Sequence, residues 1–342
     1  MKILITGGAG FIGRAFTRRL VDDGHDVLIV DNLSTGLHPE RWAFNWAFNW
    51  AFNSCNNFEF QCRDCRDFFA HWFDFFDHHD GNPFDLVIHC AAIVGGRLNI
   101  DGDPLSVATN LSIDSEFFNW AVRGKKLPKV IYFSSSAVYP LELQTRERNC
   151  ALSESLVTFD TSRLSRPDQT YGWAKLSGEY LAKIAAEKYG LDVKIYRPFG
   201  GYGEDQSLSY PFPSIIRRIL RGEDPITVWG SGDQERDFIH IDDIVDAVLQ
   251  TMDDLKPGEV LNLGTGRGVS FKELARIALR VLDLPQTTCI INDPTKPEGV
   301  FRRVADTYKL NQFYQPKVWL EQGILRVAEH LKKTLDVPEN IV

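Results

Sequence analysis

The segment Thr170-Tyr171-Gly172-Trp173-Ala174-Lys175-Leu176-Ser177-Gly178-Glu179-Tyr180-Leu181 sets a phenol and an ammonium four residues apart. Leu176, Tyr180, Leu181, Ile184 and Ala185 recur at helical spacing, and Gly190 stands where a left-handed cap would close the helix. Residues i and i+4 share a helix face, so Tyr171 and Lys175 lie one turn apart. A free tyrosine titrates near ~10 and is a poor base at neutral pH, but a neighbouring ammonium favours the phenolate. The chemistry on offer is proton transfer at a hydroxyl. Because a surface pair can show the same spacing, the surrounding elements have to decide.

The elements that would position the pair begin at the N-terminus. Lys2 to Thr6 is a short apolar strand pattern running into Gly7-Gly8-Ala9-Gly10-Phe11-Ile12-Gly13. Glycines at 7, 10 and 13 allow a tight turn, close approach to a diphosphate, and packing of a helix from about Ile12 to Asp23. A second strand, 26 to 30, ends at Asp31, about 20 residues beyond the glycines, where a carboxylate accepts from ribose hydroxyls and repels a 2′-phosphate. NAD is therefore favoured over NADP. Phe58 to Cys62 reads as a third strand, with Asp64 and Cys65 just beyond it toward the adenine side. Asp85 to Cys90 is a fourth, followed by Ala91-Ala92, which lets the backbone approach the cofactor. Gly95-Gly96-Arg97 reads as a flexible cationic loop, and a helix containing Asn110 is expected from about Pro104 to Arg123. The fifth strand, Lys129 to Phe133, delivers Ser134-Ser135-Ser136 to the carboxyl edge of the sheet, where ligands bind in doubly wound folds.

Composition narrows the class. The chain has 342 residues with 44% hydrophobic and 25% charged residues, as in soluble globular proteins, and a net charge of -8. No dense basic run suggests nucleic acid or an anionic membrane, and no apolar run is of membrane-spanning length. A first strand at Lys2 leaves no room for a signal peptide, so a cytoplasmic protein is expected. Cys55, Cys62, Cys65, Cys90, Cys150 and Cys289 are scattered, which favours reduced thiols; Cys62-Arg63-Asp64-Cys65 lacks a second ligand pair at finger spacing, so no metal is expected. His78-His79 point about 100° apart on a helix and read as a solvated face. Trp-Ala-Phe-Asn recurs three times from 42 to 53, a period that drifts around a helix. It reads as an inserted loop on the nucleotide domain without chemistry, with a partner-binding or membrane-touching hairpin as the alternative.

Taken together, Thr6 to Gly13, Asp31-Asn32-Leu33-Ser34-Thr35-Gly36, His89-Cys90-Ala91-Ala92, the serine segment, Tyr171-x-x-x-Lys175, Arg197-Pro198-Phe199 and Gly230 to Asp243 resemble the extended short-chain dehydrogenase/reductases of the nucleotide-sugar epimerase and dehydratase group. The resemblance covers nearly the whole chain. It implies an α/β fold: a Rossmann-type doubly wound parallel sheet over 1–198 that binds NAD, and a smaller, interleaved substrate domain over 199–342, parts of which return to the first. It also implies that Tyr171 is the acid/base, that Lys175 binds the nicotinamide ribose and lowers the tyrosine pKa, and that Ser135 hydrogen-bonds the reacting sugar hydroxyl. Gly7, Gly10, Phe11, Ile12, Gly13, Asp31, Asn32, Ser34, Asp64, Cys65, Ala91, Ala92 and Asn110 become cofactor contacts. Gly96, Arg97, Ser135, Ser136 and Arg236 become substrate contacts, with Arg236 on the diphosphate; Arg302 and Arg303 are both candidates that the sequence does not separate. Asp242 is expected to cap the helix after it. A homodimer through helices near 104–123 and 171–189 is expected by analogy.

The branch of chemistry follows from what is missing. Related dehydratases carry an Asp-Glu pair where this chain has Ser136 and Ala137, and 3,5-epimerases place a cysteine where Ala137 stands. The chemistry that survives is NAD-dependent C4 epimerisation of a nucleotide-diphosphate sugar. The alternatives are GDP-sugar 3,5-epimerase-like or dehydratase-like activity with another acid/base, and a non-catalytic NAD-binding scaffold. Gly200 replaces a usual asparagine after Arg-Pro-Phe and is expected to alter sugar or diphosphate contacts.

Overall fold

The computed structural model describes residues 1–42, 57–76, 81–148, 150–160 and 166–335. The Trp-Ala-Phe-Asn repeat beyond Trp42, Cys55 and the His78-His79 pair lie outside the described residues. Trp42 itself is buried, its indole N–H donating to the Leu37 carbonyl at 2.7 Å.

In chain order, β1 (Lys2–Thr6), α1 (Phe11–Asp22), β2 (Asp26–Asp31), β3 (Phe58–Cys62), α2 (Cys65–Phe76) and β4 (Leu86–His89) form the first half of a parallel sheet. The helices α3 (Arg97–Gly102), α4 (Pro104–Val107) and α5 (Thr109–Ala121) lead to β5 (Lys129–Phe133), α6 (Gln169–Tyr189) and β6 (Asp192–Pro198). Then follow β7 (Gly200–Tyr202), α7 (Pro211–Leu220), β8 (Ile226–Trp229), β9 (Glu235–His240), α8 (Ile241–Thr251) and β10 (Val260–Leu263). The chain continues through β11 (Gly268–Ser270), α9 (Phe271–Val281), β12 (Ile290–Asp293), β13 (Arg302–Arg303) and α10 (Leu320–Leu335).

The main sheet has seven strands in the order β10-β6-β5-β4-β1-β2-β3, all parallel. This is the doubly wound Rossmann-type α/β architecture. Strands buried on both faces read as continuous apolar runs, and β1 and β4 do. Phe16 and Leu20 of α1 pack with Ile244, Val245 and Val248 of α8 over one face. Over the other, Phe68 and Phe69 of α2 meet Phe117 and Trp120 of α5 and Ala182 and Ala185 of α6. A separate core gathers Phe212 and Ile216 of α7, Leu274 and Ile277 of α9, and Ile324 and Val327 of α10 against β8.

Some local expectations are corrected. Arg97 opens a helix, not a loop, and the expected helix 104–123 is divided. Pro104 lacks an N–H to continue α3, and the Asp103 carboxylate caps α4 instead, accepting from Ser106 N–H at 3.1 Å. Asp242 does not cap α8. That role falls to His240, whose ring nitrogen accepts from Asp242 N–H at 3.1 Å, leaving the Asp242 carboxylate to pair with Arg18 and Arg326.

Candidate active site

At the carboxyl edge of the main sheet lies a cavity of about 620 Å³. Its floor at the N-terminal end is the glycine turn. Gly7 adopts φ +69, and a Cβ there would approach Ala91 N to 2.7 Å; a Cβ at Gly13 would collide with Gly7 O. Only bare backbone fits, which leaves a cradle beside the α1 N-terminus for a diphosphate. Gly10, Phe11, Ile12, Asn32, Ser34, Ala91 and Ala92 line the same space. Asp31, at the end of β2, accepts from Ala9 N–H at 3.1 Å and Leu33 N–H at 2.7 Å. Burial pushes its carboxyl up against the pull of those N–H groups. Asp64 and Cys65 also line the cavity. Asp64 is gripped by Arg66 through bonds of 3.0 and 2.8 Å, which holds its carboxyl below the usual range. These features fit a dinucleotide with a 2′-hydroxyl.

Asn110 is the exception among the candidate cofactor contacts, since it does not line the cavity. It is 1% exposed and clasps Ile93, accepting its N–H at 2.6 Å and donating to its carbonyl at 3.0 Å. It therefore positions the loop after Ala91-Ala92 from beneath.

Tyr171 and Lys175 project from α6 into the cavity together with Ser135 and Ser136. The helix ends at Gly190, φ 71, whose N–H bonds back to Ala186 at 3.2 Å. At its start, Gly172 lets α6 press against the Ala137 carbonyl, where a Cβ would sit 2.5 Å away. Ser135, two residues past the end of β5, accepts from Ala137 N–H at 3.1 Å, and its hydroxyl stands near enough to act on the Tyr171 phenol. Burial pushes the Tyr171 phenol up to about 12, opposed by the Ser135 hydroxyl. The Lys175 ammonium, expected to act on Tyr171, instead acts most visibly on buried Asp114, and it lies 5.1 Å from the Tyr132 ring centroid.

Two buried networks unanticipated from local spacing hold this helix. In one, Glu179 receives Arg197 through bonds of 2.8 and 2.6 Å and also binds Ser134; Arg197 continues to the Tyr139 hydroxyl at 3.1 Å. In the other, Asp114 accepts from Tyr132 at 2.6 Å and pairs with His89 at 3.2 Å. Glu179 is discoverable in retrospect as the i+4 neighbour of Lys175. Asp114 gives no such signal.

The opposite wall is cationic. Arg97, Arg236 and Arg303 all line the cavity, as does Gly96. Arg97 and Arg303 bind the two oxygens of Asp168 at 2.9 and 2.8 Å, while Gly299, φ +73, leaves room for Arg97 and Arg236 to pass. Arg236 donates to backbone carbonyls, at 2.7 Å on Glu235 and 3.5 Å on Glu298, and lies 5.6 Å from the Phe271 ring centroid; among the described residues no ion pair forms with it. Burial, together with neighbouring Arg303 and Arg97, pushes its guanidinium below the ordinary range. Arg302 and Arg303, inseparable by sequence, are separated by register. Arg303 lies across from Arg236, whereas Arg302 lies across from Glu235, pairs with it, and does not line the cavity. Gly200 also has a structural cause: β7 runs so close to β9 that a Cβ would sit 2.6 Å from Asp237 O, leaving no room for asparagine.

An anion-receptive wall, a dinucleotide cradle and a Ser/Tyr/Lys group on one Rossmann-type cavity define a nucleotide-dependent redox enzyme class. The family model for NAD dependent epimerases/dehydratases matches residues 3–264, and the chain belongs to that family. It is 29% identical over 344 residues to a putative UDP-glucose 4-epimerase of Methanocaldococcus jannaschii, covering 96% of this chain and 98% of that one. It is 30% identical over 353 residues to a UDP-N-acetyl-alpha-D-glucosaminuronate decarboxylase of Bacillus cytotoxicus, covering 97% and 98%. The crystal structure of Thermotoga maritima UDP-glucose 4-epimerase with UDP-glucose superposes with a TM-score of 0.81 at 26% identity, covering 98% of this chain and 100% of that one. Among the described residues no helix is long and apolar enough to cross a membrane.

Proposed function

We propose that the protein is a nucleotide-sugar C4 epimerase. The observation that carries this reading is the meeting of Ser135 and Tyr171 in one cavity, where the serine hydroxyl draws the phenol's pKa down and the carboxylates are already engaged. Asp168 is held by Arg97 and Arg303, Glu298 by Ser231 at 2.9 Å, and Asp64 by Arg66. Asp31 serves the cofactor end. Burial pushes the Cys65 and Cys90 thiols up to about 12, so neither is a ready base. What remains is oxidation at a hydroxyl and its reversal. In this reading Ser135 orients the sugar hydroxyl, Tyr171 takes and returns its proton, and Lys175 holds the ribose side. NAD, held along the glycine turn and Asp31, would supply the hydride acceptor and donor. Arg236 and Arg303 hold the diphosphate while the oxidised sugar turns and presents its other face.

The test is NMR of the purified protein with added NAD and a panel of UDP-, GDP-, CDP- and dTDP-sugars, read for inversion at C4, with UDP-sugars first on the strength of the structural relative. Failure to interconvert any sugar despite bound NAD would leave the scaffold reading. One observation favours a second enzymatic reading: Tyr210 also lines the cavity, close enough for its phenol to feel Tyr171, and burial holds it well above the ordinary range. A second phenol offers an acid for chemistry at another sugar carbon, as in 3,5-epimerase-like or dehydratase-like turnover. Solvent deuterium entering C3 or C5 would mark that outcome.

The same reading takes 1–198 as the NAD-binding domain and 199–342 as mainly substrate-binding, and places the protein in the cytoplasm. It also assigns a homodimer through the face of α5 and α6 where Leu111, Trp173 and Tyr180 stand exposed. Light scattering tests the dimer.

A further inference from the structure

Tyr171, Lys175 and Gly178 share one face of α6. At Gly178 a Cβ would run into both the Tyr132 hydroxyl and the Asp114 carboxylate, so these two groups sit against the helix one turn beyond Lys175. Asp114 is 1% exposed and Lys175 2%. The carboxylate accepts from Tyr132 at 2.6 Å and from His89 Nε2 at 3.2 Å. His89 is in turn fixed by stacking on Phe117 at 3.9 Å and 4°, with its Nδ1 2.7 Å from the Thr6 hydroxyl. Burial holds His89 below its ordinary range, hence neutral, so Nε2–H donates to Asp114 and Nδ1 accepts from Thr6. The chain of bonds begins at the residue just before the glycine turn and ends under the catalytic helix.

The ionisable groups facing the Tyr171–Lys175 pair are Asp114 of α5, Tyr132 of β5, His89 and Cys90 at the end of β4, Glu179 of α6, and Tyr210 ahead of α7. Glu179 is engaged by Arg197. His89, Cys90 and the two tyrosines are neutral. Among the described residues, Asp114 therefore supplies the negative charge that answers Lys175. Burial acts to raise its carboxyl, but Lys175, His89 and Tyr132 outweigh that and hold it below the ordinary range.

We propose that Asp114 is a positioning residue, the fixed counter-charge that, set against the helix one turn beyond Lys175, limits how much of the ammonium's field reaches the Tyr171 hydroxyl. The proposal rests on Tyr171 being the acid/base. Its charge and that of Lys175 act on the phenol in opposite directions, so losing Asp114 leaves the ammonium less opposed and makes Tyr171 more acidic.

The experiment is an ultraviolet tyrosinate titration of the full chain saturated with NAD. The Tyr171 component is the difference between each protein and the same protein carrying Tyr171→Phe. Asp114→Asn should lower its midpoint by about one pH unit, and the acid limb of turnover should move down with it. Tyr132→Phe, which removes a hydrogen bond but leaves the charge, should leave the midpoint in place. An unmoved or raised midpoint in Asp114→Asn, or an equal shift in Tyr132→Phe, overturns the proposal. Asp114→Ser offers the same reading should the amide variant fail to fold. The titration needs no turnover, so absence of sugar interconversion would sink the epimerase reading without touching this result.

Discussion

The two walls of the cavity handle charge in opposite ways. Beneath α6, each buried charge has an answering group inside the protein: Glu179 with Arg197, and Asp114 with Tyr132, His89 and the nearby Lys175. Across the cavity, Arg97 and Arg303 share one carboxylate, and Arg236 rests on backbone carbonyls and over the Phe271 ring. A partly buried cation hydrogen-bonded to no counter-charge carries a desolvation cost that an incoming anion relieves. On the proposed reading, one wall is built to stay as it is and place a proton-transfer group, and the other to be completed by a ligand. Substitutions in the first should change rate or stability, and those in the second should change affinity.

The largest effect expected is on rate. Tyr171→Phe removes the proton acceptor but keeps the ring, and should lower interconversion by about 10²- to 10⁴-fold while NAD still binds. Retention of full turnover by NMR assay would remove the basis for distinguishing the walls. Next comes stability. Glu179→Gln leaves the buried Arg197 guanidinium without its counter-charge and should cost about 3–5 kcal/mol, seen as a lower urea midpoint. Adding Arg197→Met should recover part of the loss, because a neutral pair leaves no orphan charge. If the single and double variants unfold alike, the pair does not hold the helix.

The contrast between walls also explains what the sequence disclosed. The parallel sheet was legible because strands covered on both faces read as apolar runs, and the glycine turn because Gly7 and Gly13 tolerate no side chain. Tyr171 and Lys175 were legible because their relation is local, one helical turn. Asp114 was not: its partners are 25 residues away at His89 and 18 away at Tyr132, and an aspartate in an amphipathic helix reads as solvent-facing. Arg302 and Arg303 had to point to opposite sides of their strand, but which one faces the cavity depends on pairing with β9, a register the sequence does not carry. Gly200 looked like a gap in a motif, yet its cause is the approach of Asp237 O, a contact across 37 residues.

On the receptive wall, Arg236→Met should raise KM for a nucleotide sugar about 10- to 100-fold, the worth of a charge-assisted contact, with kcat little changed. Stability of the unliganded protein should hold or rise, since a poorly compensated, partly buried cation is gone. A fall in kcat as large as the rise in KM would show that this wall also positions the reacting carbon.

The smallest effect is expected at Asp31, which lies at the cofactor end and combines both behaviours. Its oxygens are fixed by Ala9 and Leu33 N–H groups, as on the built wall, yet burial raises its carboxyl, as befits a site that awaits hydroxyl donors. Asp31→Asn removes one acceptor for the ribose hydroxyls and the repulsion toward a 2′-phosphate, so NAD should bind about tenfold more weakly, near 1.4 kcal/mol, while NADP binds better. The stability sign is opposite to that at Glu179. A carboxyl whose folded pKa is raised favours folding when protonated, and that contribution is lost as pH rises through the folded pKa. At neutral pH the ionised Asp31 therefore opposes folding slightly, while the asparagine amide gives up one of the two N–H bonds, so the effects offset and the stability of the unliganded protein should change by under about 1 kcal/mol. Paired measurements of dinucleotide affinity by calorimetry and of the urea midpoint decide it: weaker NAD binding with no loss of stability marks a ligand-completed charge, whereas a stability loss comparable to that of Glu179→Gln would place Asp31 with the built wall.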